Sequence, residues 1–113
     1  MTITPTPLAG AFVVDLAPAR DDRGFFVRTF DADTFRRHGL VADYPQANHS
    51  RTATKGVVRG LHFQHPPHGE VKLVRCTRGV VYGRHPGPPR GGGRRQLVAG
   101  RACTEASRPE ILR

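Results

Sequence analysis

A chain of 113 residues with a net charge of +9 holds one domain at most and a modest core. It has no apolar run long enough to span a membrane, and its two cysteines, Cys76 and Cys103, form no zinc or redox spacing. Such a charge ordinarily points to nucleic acid, phosphate ligands or a membrane surface, but residues 1–82 carry eleven basic against seven acidic side chains, and residues 83–113 carry seven against two.

The N-terminal MTITPTPLAG has no basic stretch and no long apolar run. No signal peptide is therefore expected, and the cytoplasm is the default location. Residues 12–16, FVVDL, and 24–30, GFFVRTF, read as strands. Residues 33–39, DTFRRHG, read as one short helix, with Asp31 or Asp33 as its cap and Gly39 as its stop. Residues 44–50 and 57–64 read as extended, followed by strands at 71–76 and 79–82. Cys76 is expected within a strand as a small buried residue. Short strands separated by turn residues imply a mainly β sandwich or barrel.

The segment 55–75, KGVVRGLHFQHPPHGEVKLVR, concentrates the candidate chemistry. Its alternation places Val58, Gly60, His62 and Gln64 on one strand face, with Arg59, Leu61 and Phe63 on the other. After Pro66-Pro67 the run Val71 to Arg75 is expected to return as the second strand of a hairpin. A polar strip on an otherwise apolar hairpin predicts a sheet face that lines a pocket.

Taken with DDRGFF at 21–26 and QANHS at 46–50, the run RGLHFQ…PP…KLVR resembles the dTDP-4-dehydrorhamnose 3,5-epimerase family. The resemblance covers roughly residues 3–82 and rests on three separate motifs in order. It implies a cupin-type jelly roll (a double-stranded β-helix) that acts in dTDP-rhamnose-type biosynthesis, without an organic or metal cofactor. The members form homodimers to which the N-terminal strands and the DDRGFF region contribute. On this resemblance His62 is the base that removes protons at C3 and C5 of a 4-keto sugar, and Lys72 stands beside the keto oxygen. Those types suit the chemistry: neutral imidazole titrates near working pH, and an ammonium facing an enolate gains strength in a water-poor pocket. Arg23 and Arg59 are implied to hold the diphosphate, for which guanidinium forks are well shaped. Gln46 and Asn48, two apart on an extended run, supply polar groups to sugar or phosphate, and Phe26 packs near the thymine.

Two departures qualify the resemblance. Many members carry Glu two residues after the Phe pair, where this chain has Arg28; an arginine cannot accept the base's hydrogen bonds. Residues 1–82 also do not distinguish epimerisation at C3 alone from epimerisation at both carbons. Past Tyr82 the resemblance stops. The family's tyrosine acid and the carboxylate that orients the base lie well downstream there, whereas no tyrosine follows Tyr82 in this chain and the later carboxylates are Glu105 and Glu110. The chain thus reads as a truncated relative of low stability and little or no activity.

Residues 83–113 have another texture. All eight Phe and Tyr residues precede them, and ten of the 31 are Gly or Pro. Composition alone predicts an irregular basic tail, with only 96–101 apt for a brief strand or helical turn. Degenerate codons for residues 83–89, read one base later, permit Asp-Val-Ile-Leu-Asp-Leu-Arg, the continuation that the resemblance implies. A shifted frame in GC-rich codons also accounts for the Arg, Gly and Pro.

Two rival functions draw on other residues. His62, His65, His68 and Glu70 crowd into nine positions, but His62 and His65 would face opposite ways on a strand, against a metal-binding cupin. The arginines of 84–95 could bind RNA with steep salt dependence. No aromatics are interleaved for stacking, so specific nucleic-acid binding is not expected.

Overall fold

A computed structural model describes residues 1–62, 64–65, 67–83 and 97–100. The chain is mainly β with little helix. In order come β1 (Thr2–Pro5), β2 (Ala11–Asp15), β3 (Ala19–Asp21), β4 (Gly24–Phe26), α1 (Ala32–Arg37), β5 (Lys72–Arg75) and β6 (Leu97–Gly100). β3 and β4 form a two-stranded hairpin, and the other four make one sheet in the order β1-β2-β6-β5.

β1 and β2 are antiparallel, with Ile3 opposite Val14. β6 enters between β2 and β5, parallel to both. Residues that sit opposite one another point to the same side of a sheet. Ile3, Phe12, Val14 and Leu73 therefore form one apolar face. Helix α1 and the chain that follows it cover this face through Phe35, Leu40, Ala42 and Tyr44. Phe30 meets Phe35 edge-on at 4.9 Å and Tyr44 at 5.7 Å, closing the core on that side.

The helix is fixed at both ends by local chemistry. Asp31 is the cap: its carboxylate accepts a hydrogen bond from the Thr34 backbone N–H at 2.8 Å. At the other end Gly39 adopts φ +69°. Its N–H donates to the Arg36 carbonyl, and the Leu40 N–H donates to the Phe35 carbonyl. This is the Schellman arrangement, and the side chains of Leu40 and Phe35 supply its apolar contact in the core. Of the two aspartates that suit the cap by sequence, Asp31 fills it, and the helix starts one residue earlier than expected.

The Asp31 carboxyl is held below the usual carboxylate range, chiefly by the Thr34 N–H and then by the Thr34 hydroxyl, with Arg28 adding a smaller pull. A carboxyl whose pKa is depressed on folding stabilises above its unfolded value near 3.8 and loses that contribution as pH falls through the folded value. Asp31→Asn, which caps equally well, is expected to leave stability near neutral pH within error and to flatten its decline below pH 4. Urea unfolding of both proteins at pH 7 and pH 3 checks this; parallel declines would remove Asp31 as the source.

Several expected strands are not strands. β4 ends at Phe26 rather than at residue 30, and the described residues of 44–50, 57–64 and 79–82 join no ladder. The expected hairpin across Pro66-Pro67 is replaced by pairing of β5 with β6. Phe63 and Pro66 lie outside the described residues. The physical reason is lack of cover: Val58 is 89% exposed and Val80 85%, and a strand gains its stability from ladder partners and a buried face. β6 falls within the 96–101 stretch that suits a brief strand. The tail expected at 84–96 and 101–113 lies outside the described residues.

Candidate functional site

The candidate residues fall into three places. Arg23 and Phe26 belong to the β3–β4 hairpin. The turn is held by Asp21, whose carboxylate accepts from the Arg23 backbone N–H at 2.9 Å and from its guanidinium at 2.6 and 3.2 Å. The Arg23 side chain is the larger cause of the lowered Asp21 pKa. An incoming phosphate would therefore have to compete with Asp21, in a pair open to water where such competition is mild. Phe26 is exposed at the end of β4, and Arg20 lies 5.4 Å over the neighbouring Phe25 ring. Arg28, the residue that departs from the family pattern, reaches the Asp31 cap at 3.0 Å. It thereby has a structural contact the sequence did not reveal.

Arg59 and His62 lie in the irregular stretch before β5, and both are exposed. Lys72 opens β5. Because Leu73 is in the core, Lys72 points to the opposite face of the sheet, where its ammonium pairs with Glu70 at 2.7 Å. Glu70 also accepts from the Gln64 amide at 3.4 Å. Among the described residues, no group of three or more His, Cys, Asp or Glu side chains could hold a metal ion.

Gln46 is exposed, while Asn48 lines a cleft of about 260 Å³ on the core side of the sheet. Val14, Leu16, Leu73 and Phe30 form its apolar part, and Arg75 and His49 stand beside Asn48. The family motif draws attention to the Lys72 row of β5 and away from the alternate row, 73-75-77, which the same period-two rule places in this cleft. Among the described residues, no side-chain hydrogen bond or ion pair joins any two of His62, Lys72, Arg23, Phe26, Gln46, Asn48 and Arg59.

One buried group is unusual. The Tyr44 hydroxyl is out of contact with water and without a hydrogen-bond partner among the described residues, and burial pushes the phenol pKa upward. An unpaired buried hydroxyl costs about 1–3 kcal/mol. Tyr44→Phe keeps the ring contact with Phe30 and removes that cost, so it is expected to raise stability by about 1 kcal/mol. A lower urea midpoint would show that the hydroxyl has a partner.

Residues 5–84 match the sequence profile described as dTDP-4-dehydrorhamnose 3,5-epimerase. The chain is 39% identical over 83 residues to the dTDP-4-dehydrorhamnose 3,5-epimerase of Escherichia coli K12, covering 73% of this chain and 44% of that protein. It is 41% identical over 78 residues to the enzyme of that name from Methanothermobacter thermautotrophicus, covering 68% and 40%. The dTDP-4-dehydrorhamnose 3-epimerase of Streptomyces niveus is 35% identical over 83 residues, covering 73% and 40%. The chain thus spans less than half the length of these relatives. No solved structure matches it.

Proposed function

The chain belongs to the dTDP-4-dehydrorhamnose 3,5-epimerase family, and on that premise we propose that residues 1–82 carry the proton-abstracting part of an epimerase site for a dTDP-4-keto-6-deoxy sugar. The family match across residues 5–84, which contains all seven candidate side chains, is the observation that carries this reading. His62 takes the proton next to the ketone, and Lys72 holds the enolate oxygen. An acid on the opposite face returns a proton with inverted geometry. Arg23 and Arg59 hold the diphosphate, Gln46 and Asn48 bind sugar or phosphate, and Phe26 packs on the base. Arg28, already engaged by Asp31, offers no acceptor to the base at that position. Relatives named 3,5-epimerase and 3-epimerase both match this half, so it does not distinguish epimerisation at C3 alone from epimerisation at both carbons.

The jelly roll and the homodimer belong to this proposal. What supports them is the apolar surface left open inside the matched segment: Val57, Val58, Leu61, Val80, Val81 and Tyr82 are all exposed. Patches of this kind are normally covered by further strands or by a partner. In this arrangement the 57–64 stretch would become a strand and turn His62 inward. Among the described residues, no helix is long and apolar enough to cross a membrane.

Residues 83–113 are proposed to follow a shifted reading frame, which is supported by the match ending at residue 84 where the composition changes. The β6 strand is compatible with this origin. A four-residue apolar run adds to a sheet through backbone hydrogen bonds, which need no selected side chains. Sequencing the gene across codon 82 in an independent isolate tests it; an uninterrupted frame carrying the same tail in near relatives would overturn it.

The functional proposal is tested with a chimera in which residues 5–84 replace the matched segment of the Escherichia coli relative. The chimera is expected to epimerise dTDP-4-dehydro-6-deoxyglucose, and His62→Gln within it to lower kcat by about 10²–10⁴. A folded but inactive chimera would overturn the function. An active one indifferent to His62→Gln would overturn the role of the base.

A further inference from the structure

Two residues that line the core-side cleft, Val14 and Arg75, share one row of the sheet register. Val14 of β2 and Arg75 of β5 both sit opposite Gly100 of β6, so the row reads Val14, Gly100, Arg75 along one face. Glycine brings no side chain to the middle of this row. β2, β6 and β5 run parallel to one another, and this row lies at their carboxyl ends. Leu16 and Thr77, just past the ends of β2 and β5, extend the same face. Thr29, Phe30, Asn48 and His49 line the same cleft.

The electrostatics of the cleft have one sign. Among the described residues no carboxylate lines it, and Arg75 has no ion-pair partner. A guanidinium with no counter-ion among the described residues, flanked by hydroxyl, amide and imidazole groups over an apolar floor, is complementary to an anion with an apolar body. At about 260 Å³ the space is below the roughly 300–1,000 Å³ of sites for drug-sized ligands.

We propose that this cleft binds a small molecule bearing a carboxylate or phosphate on an apolar body, with Arg75 and His49 holding the charged group and Phe30 and Leu73 the body. The site is separate from the proposed enolate chemistry, since Lys72 lies on the other face of β5. Asn48 is the one residue common to both readings.

Phenyl phosphate, benzoate, phenol and inorganic phosphate are titrated into the 113-residue chain, with binding followed by NMR shifts. Phenyl phosphate or benzoate is expected to saturate shifts at residues 48, 49 and 75, and whichever binds more tightly identifies the head group. Phenol and inorganic phosphate are each expected to bind at least about tenfold more weakly, having only one half of the recognition. Arg75→Gln should weaken the tighter ligand about tenfold or more and His49→Gln several-fold, while Arg75→Lys retains part of the affinity and Arg36→Gln all of it. Equal binding of phenol, equal binding of inorganic phosphate, indifference to Arg75→Gln, or no saturable shift would each overturn the proposal. The ligand comparison on the unaltered chain decides the matter even where a variant fails to fold.

Discussion

The purified 113-residue chain is expected to move solvent deuterium into dTDP-4-dehydro-6-deoxyglucose at least about 10²–10⁴-fold more slowly than the full-length Escherichia coli relative. A histidine acts as an efficient base when a second group fixes its tautomer and orientation. His62 is exposed on an irregular stretch and has no such partner among the described residues. Lys72 spends its charge on Glu70 at 2.7 Å, partly open to water, where an ion pair and an enolate would both be weakly held. The proposed reaction also needs an acid on the opposite face, and no tyrosine follows Tyr82 in these 113 residues. The measurement is mass-spectrometric deuterium uptake at C3 and C5 with both proteins at equal concentration. Uptake within tenfold of the relative would show that the site is complete without further residues, and that His62 needs no orienting partner.

What was legible in the sequence follows the range of the interactions involved. The helix and its limits were readable because they are set by groups within eight residues of one another: Asp31 caps Thr34, and Gly39 takes the positive φ that lets Leu40 fold back on Phe35. β2 and β5 were readable from apolar alternation. The pairing of β5 was not, because a strand's period is the same whichever partner it takes. Residues 58–64 and 71–75 carry the right pattern for a hairpin, yet Val58 stays in water and β5 pairs with β6. The site divides in the same way. The candidate residues were chosen from motifs, whereas their convergence depends on long-range packing, and Lys72 and Asn48 lie on opposite sides of the sheet. Arg75 and His49 lie inside the KLVR and QANHS runs without having been singled out there; the register of β5 places Arg75 on the cleft face, and His49 reaches it from outside any ladder.

Phe35→Ala is expected to abolish cooperative unfolding, the largest stability effect of any single substitution among the described residues. Phe35 is fully buried, and among the described residues the buried apolar core comprises only Phe35, Val14, Leu40 and Ala11. Removing a buried phenylalanine costs about 3–5 kcal/mol through lost transfer energy and the cavity left behind. Whole domains are stable by only about 5–15 kcal/mol, and one with so small a core sits at the lower end. The loss also propagates. Phe35 is the shared contact of the Schellman turn with Leu40, of the edge-on contact with Phe30 and of the sheet face at Val14, so its removal undocks α1 rather than leaving a local void. Phe26→Ala is the comparison, since Phe26 is 74% exposed and its truncation should change stability by no more than about 0.5 kcal/mol. Urea titrations followed by circular dichroism separate the two. A Phe35→Ala protein that unfolds in a single sharp transition at the parent midpoint would mean that α1 does not form the core with the sheet, and the placement of the cleft between them would fall with it.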